Sequence, residues 1–92
     1  MKIEVIIEEQ PKDFIRRQPP EARKQLRAAL HDIENKKNFP EPLEDELDGF
    51  YKVKVQDYRL ILKSESGNLF KVVFAERRKM VYEIFRQVIG LD

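Results

Sequence analysis

The chain has 92 residues, 38% of them charged and none of them cysteine. That length fits one small domain over 1–92 with a thin core, and the composition excludes disulfides, thiolate metal sites and a cysteine nucleophile. Net charge is +1, but residues 1–50 carry 9 Lys/Arg against 12 Asp/Glu, a balance of −3, while residues 51–92 carry 9 against 5, a balance of +4.

Met1 to Gln10 has neither a basic n-region nor a long apolar h-region, so it reads as a strand and not a signal peptide. No apolar run approaches the roughly 20 residues that span a bilayer, and the expectation is a soluble, cytoplasmic protein without a membrane partner. Within Lys2 to Glu8, Ile3, Val5 and Ile7 alternate with Lys2, Glu4 and Glu8, which predicts a first strand with a buried face. A short helix over roughly Lys12 to Arg17 should follow Pro11, presenting Phe14 and Ile15, and Gln18-Pro19-Pro20 ends it. Pro20 fits the first turn of a longer helix to about Lys37, because its missing N–H would be unpaired there and Glu21 favours the positive end of the helix dipole. Ala22, Leu26, Ala29, Leu30 and Ile33 share one stripe of that helix, giving a helical hairpin.

Phe39-Pro40-Glu41-Pro42 cannot continue the helix, and the acidic run Glu41 to Asp48 reads as a solvated loop that could screen or steer the basic half behind it. Tyr51–Val55 and Tyr58–Lys63 are predicted strands around a Gln56-Asp57 turn. Asn68–Glu76 is a third, reached through Ser64-Glu65-Ser66-Gly67 and completing an antiparallel meander. Lys79 to Ile89 returns to helical period with Val81, Ile84, Phe85 and Val88 on one face, ended by Gly90. The expected fold is α+β in the order β-α-α-β-β-β-α. The helical hairpin packs on one face of a mainly antiparallel four-stranded sheet, and a basic face lies open opposite.

Alternation places Lys52 and Lys54 on one side of their strand and Tyr51, Val53 and Val55 on the other. On the next strand Arg59, Ile61 and Lys63 fall together, opposite Tyr58, Leu60 and Leu62. If the aliphatic set packs on the helices, the cations converge on the open face. Lysines at period two also commonly decorate an exposed sheet or blunt an edge strand, and on parity alone that plainer account takes the larger share. Little acid is expected in this face, since Asp57 is in the turn and Glu65 beyond the strand. Two ammonium groups ~7 Å apart repel by about 2.4 kcal/mol at an effective dielectric of 20 and ~0.6 in water, so an uncompensated cluster invites a function. Other chemistries are nearly empty. His31 is the only histidine and sits on the long helix, no metal-ligand spacing occurs, and three glycines make no nucleotide cradle. No metal or small-molecule cofactor is expected. Cations and tyrosines remain, a set suited to RNA binding or metal-free phosphoryl transfer.

Leu47-Asp48-Gly49, the Tyr51-Lys52-x-Lys54 strand, Tyr58-Arg59-Leu60-Ile61 and the Arg78-x-x-Val81-Tyr82 motif, in that order after a strand and a helical hairpin, resemble the RelE/ParE superfamily of type II toxin–antitoxin toxins, and its RelE-like branch in particular. The resemblance covers almost the whole chain. It implies a ribosome-dependent endoribonuclease that cleaves mRNA by attack of a ribose 2′-OH on the adjacent phosphate without a metal, with a cognate antitoxin, the ribosome and mRNA as partners. Carried over, Lys52 resembles the general base, Lys54 a cation beside the scissile phosphate, and Arg59 the stabiliser of charge on phosphorus. Arg78, or less readily Arg77, resembles a phosphate contact or leaving-group acid, and Tyr82 an aromatic that orients or stacks on a base. Arg77, Lys63 and Lys79 are expected to contact RNA. Many relatives carry a histidine where Arg77 stands. The ParE branch, which inhibits DNA gyrase without cutting RNA, shares the fold, as would an inactive relative that only binds RNA or antitoxin.

Overall fold

The computed structural model describes residues 2–91. The chain runs β1 (Glu4–Ile7), α1 (Glu9–Arg16), α2 (Pro20–Glu34), β2 (Glu41–Pro42), a 3₁₀ turn (Asp45–Leu47), β3 (Phe50–Val55), β4 (Tyr58–Ser66), β5 (Leu69–Arg77) and α3 (Val81–Val88). The strands form one mixed sheet in the order β1-β5-β4-β3-β2. β3, β4 and β5 make the expected antiparallel meander. The helical hairpin then carries the chain across, so that β1 lies parallel to β5, with Glu4 opposite Leu69 and Ile7 opposite Val72.

Several boundaries differ from the sequence reading for local reasons. α1 begins at Glu9, before Pro11, because a proline third in a helix gives up only an N–H that would lack an intrahelical acceptor. α2 stops at Glu34, short of Lys37, and Lys36 takes a left-handed φ of 60°. β4 runs through the Ser64–Ser66 stretch that was expected to be a turn, and the reversal falls at Gly67, whose φ is 50°. α3 ends as its glycine predicts: Gly90, at φ 80°, donates to the Gln87 carbonyl at 3.2 Å and Leu91 donates to Arg86 O at 2.8 Å, closing the last helical turn.

The sheet has five strands where four were expected. Glu41 and Pro42, expected in a loop, pair with β3 at the sheet margin, Glu41 opposite Lys52 and Pro42 opposite Tyr51. Proline is tolerated on an edge strand, where no further strand requires its N–H.

Both faces of the sheet are packed. On one, Val53, Val55, Tyr58, Leu60, Leu62, Val72 and Ala75 meet Ile15, Leu26, Ala29, Leu30 and Ile33 of the helical hairpin, which is the burial that strand parity and the α2 stripe predict. The opposite face, expected to lie open, is roofed in part. Ile61 and Phe74 pack with Leu47 of the 3₁₀ turn and with Val81 and Phe85 of α3; Ile61 is fully buried. The physical reason is that this face carries Phe50, Ile61 and Phe74 between its cations. Leaving such side chains in water would forfeit about 1.5–3 kcal/mol each. Phe85 sits edge-on to Phe50 at 5.0 Å between centroids, with Phe74 at 5.5 Å.

Candidate functional site

The basic residues flank this roof. Lys54 of β3 lies directly opposite Arg59 of β4, and Lys52 lies opposite Ile61, so three cations occupy neighbouring positions of one face at the end nearest the β3–β4 turn. Burial of Val53 and Val55 on the other side fixes this parity. A one-residue slip would bury the lysines. Lys52 and Arg59 are half-buried and Lys54 exposed. Among the described residues no carboxylate lies within ion-pair distance of Lys52, Lys54, Arg59 or Lys63.

The face is less free of acid than the sequence suggests. Glu76 is the β5 partner of Arg59, which makes a row Lys54–Arg59–Glu76 across three strands, and Glu41 stands beside Lys52 on the outer edge. Neither carboxylate forms an ion pair with its neighbour. Glu76 Oε2 accepts the Arg77 backbone N–H at 2.9 Å, while Arg59 Nη1 donates to the carbonyls of Gln56 at 3.0 Å and Tyr58 at 2.8 Å. The guanidinium is thereby held over the β3–β4 turn, with its charge unneutralised. Pairing the third and second strands from their alternation would have located Glu76, whereas nothing in a Pro-flanked loop signals that Glu41 enters a sheet.

Arg78 follows the end of β5 and reaches the same turn. Its backbone N–H donates to Asp57 O at 2.7 Å, and its Nε lies 3.5 Å from Asp57 Oδ1. Asp57, Arg77, Arg78, Lys79 and Met80 line a shallow cleft of about 330 Å³. Arg77 is the last residue of β5 and faces the helical hairpin, its guanidinium 5.7 Å from the centre of the Tyr58 ring. The turn therefore holds Arg78 through its backbone and its side chain, while Arg77 lines the same cleft from the Tyr58 side. Tyr82, in the first turn of α3, is half-buried against the Ile61–Phe74–Phe85 cluster. Lys63 lies opposite Lys71 and four residues from Arg59, about 13 Å along the strand. Lys71 is neutralised by Glu8 and Glu65 at 3.7 and 3.4 Å. Lys63, the β4 partner of Phe50, is nonetheless a diagonal neighbour of Lys52 on the same face, about 7–8 Å away, and extends the group away from the turn. His31 pairs with Glu34 on the outside of α2 at 3.5 Å, remote from this face. Among the described residues no three His, Asp or Glu side chains are gathered as metal ligands.

The arrangement can hold a polyanion. Three cations on a rigid hairpin, a fourth at its turn and an aromatic ring on the adjoining helix offer phosphate contacts and one stacking surface, all on elements tied together by the second core.

No family model matches the sequence, and a search of curated proteins gives no match. Solved structures do resemble it. A chain of the toxin–antitoxin complex RelBE2 from Mycobacterium tuberculosis superposes with a TM-score of 0.70 at 17% identity, covering 85% of this chain and 100% of that one. A chain of the RelB–RelE antitoxin–toxin complex from Methanococcus jannaschii gives 0.65 at 17% identity, covering 87% and 98%. The YoeB dimer from Staphylococcus aureus gives 0.60 at 16%, covering 83% and 97%. At such identities the likeness is one of fold, and the fold is that of the RelE and YoeB toxins.

Proposed function

We propose that the chain is the toxin of a type II toxin–antitoxin pair and acts as a ribosome-dependent mRNA endoribonuclease. The observation that carries this reading is the Lys54–Arg59 cross-strand pair with Lys52 beside it, set in the fold of toxins whose complexes contain an antitoxin. Lys52 acts as the general base that takes the proton of a ribose 2′-OH, and the 2′-oxygen attacks the adjacent phosphorus. The bond from phosphorus to the 5′-oxygen breaks, leaving a 2′,3′-cyclic phosphate and a 5′-hydroxyl once that oxygen is protonated. Lys54 and Arg59 stabilise the charge that accumulates on phosphorus, and Arg78 contacts the phosphate from the turn. Tyr82 offers its ring to a base. A cognate antitoxin covers this face when the toxin is silent.

Glu41 and Glu76, which lower the positive potential next to the cluster, support a second reading: a ParE-like toxin that inhibits DNA gyrase and cuts no RNA. Induction of the wild type and of Lys52→Ala, Arg59→Ala and Arg78→Ala, with primer extension on translated messages, separates the two. The nuclease reading expects growth arrest with codon-positioned cuts. Cleavage should fall by about 10²–10⁴-fold without the base and by about 10²–10³-fold without Arg59. Arrest with intact messages and a DNA-damage response would select the second reading.

A further inference from the structure

The β3–β4 turn carries a carboxylate where the proposed reaction needs a phosphate. Asp57 is the single acid among the residues lining the cleft, against Arg77, Arg78 and Lys79, and its Oδ1 lies 3.5 Å from Arg78 Nε. The contact is held from the main chain as well, because the Arg78 N–H bonds to Asp57 O at 2.7 Å. The two backbones therefore stay adjacent, which keeps the carboxylate within reach of the guanidinium. Among the described residues Arg78 is also the one cation of Lys52, Lys54, Arg59 and Arg78 that has an ion-pair partner.

We propose that Asp57 is a built-in competitor for the substrate phosphate at Arg78, a specificity-determining residue that weakens the grip on free RNA. A phosphate approaching the guanidinium must displace this carboxylate or share the site with it, and both carry negative charge. RNA in free solution meets that opposition with nothing to offset it. RNA already presented by a scaffold arrives at a high effective concentration and overcomes it. The inference rests on the nuclease reading for its purpose, though the competition itself is a property of binding.

The test is fluorescence anisotropy of a labelled single-stranded RNA oligonucleotide with the full chain, without ribosomes. Asp57→Asn should bind about two- to fivefold more tightly, the range set by loss of an exposed ion pair, and the gain should disappear in the Arg78→Ala background. Asp32→Asn, which makes the same charge change on α2, should leave the affinity unchanged. Asp57→Ser provides a second neutral variant, and since the backbone bond to Asp57 O does not need the carboxylate, both variants should stay folded, with an unfolding temperature lowered by no more than the few degrees an exposed ion pair is worth. Unchanged or weaker binding by both neutral variants, or an equal gain in the Arg78→Ala background, would overturn the proposal. Tighter binding by Asp57→Asn together with intact messages in cells would sink the nuclease reading and leave the competition standing. Lost competition with codon-positioned cuts would do the reverse.

Discussion

Gln56 opens the β3–β4 turn with a φ of 53°, a conformation that costs a side-chain-bearing residue about 1 kcal/mol or more. Its carbonyl is one of the two that hold Arg59, so the strain sits under a proposed functional arginine. Gln56→Gly should relieve it and raise stability by about 0.5–1 kcal/mol, partly offset by the entropy of the unfolded glycine. Urea unfolding measures this directly, and a lower midpoint would show that the Gln56 side chain contributes more than its backbone costs. At this scale the sequence was informative where parity rules. Lys52, Lys54 and Arg59 share a face as alternation requires, and Tyr58, Leu60 and Leu62 are buried. It was silent on the contact between Arg78 and Asp57, because residues twenty-one positions apart meet only once the register of β4 against β5 is set. It also left the choice between Arg77 and Arg78 open; Arg77 lies by the Tyr58 ring and Arg78 by Asp57, and both line the cleft at the turn.

Among the elements, α3 has the largest consequence for the site. Its amphipathic pattern was legible, yet its destination was not, since the stripe of Val81 and Phe85 says nothing about which face of the sheet it covers. Phe50, Ile61 and Phe74, interleaved with the cations, provide the answer. Phe85 is 2% exposed at the centre of that second core. Phe85→Ala should cost about 3–5 kcal/mol and release α3, carrying Tyr82 away from the lysine face. Thermal unfolding would report the loss, and a change under 1 kcal/mol would mean that the roof contributes little. The ion pair between Arg86 and Glu46 pins the same helix to the acidic connection, but both side chains are substantially exposed and such a pair adds at most about 1 kcal/mol. Val88 remains 62% exposed on α3, although its spacing placed it with the buried set. The two-residue strand β2 was the least legible element, being too short for any periodicity, with one proline just before it and another as its second residue.

For the molecule as a whole, a net charge of +1 conceals a basic patch on one face, and affinity for RNA should follow the patch and not the total. Contact of Lys52, Lys54, Arg59 and Arg78 with three to four phosphates of a single strand predicts a slope of about −2 to −3 in log K against log salt. Titrations between 50 and 200 mM salt would measure it, and a slope near zero would remove the phosphate-contact model. The parallel pairing of β1 with β5 carries a further consequence, for the order of synthesis. The first strand leaves the ribosome early, but its partner begins at Leu69 and the helix that completes the basic face ends at Val88. A long chain loop must close before β1 gains a neighbour, and Arg78 and Tyr82 follow β5 in the chain. A nascent chain that stops short of Val88 therefore holds the three cations of the β3–β4 hairpin without the helix that roofs the face beside them.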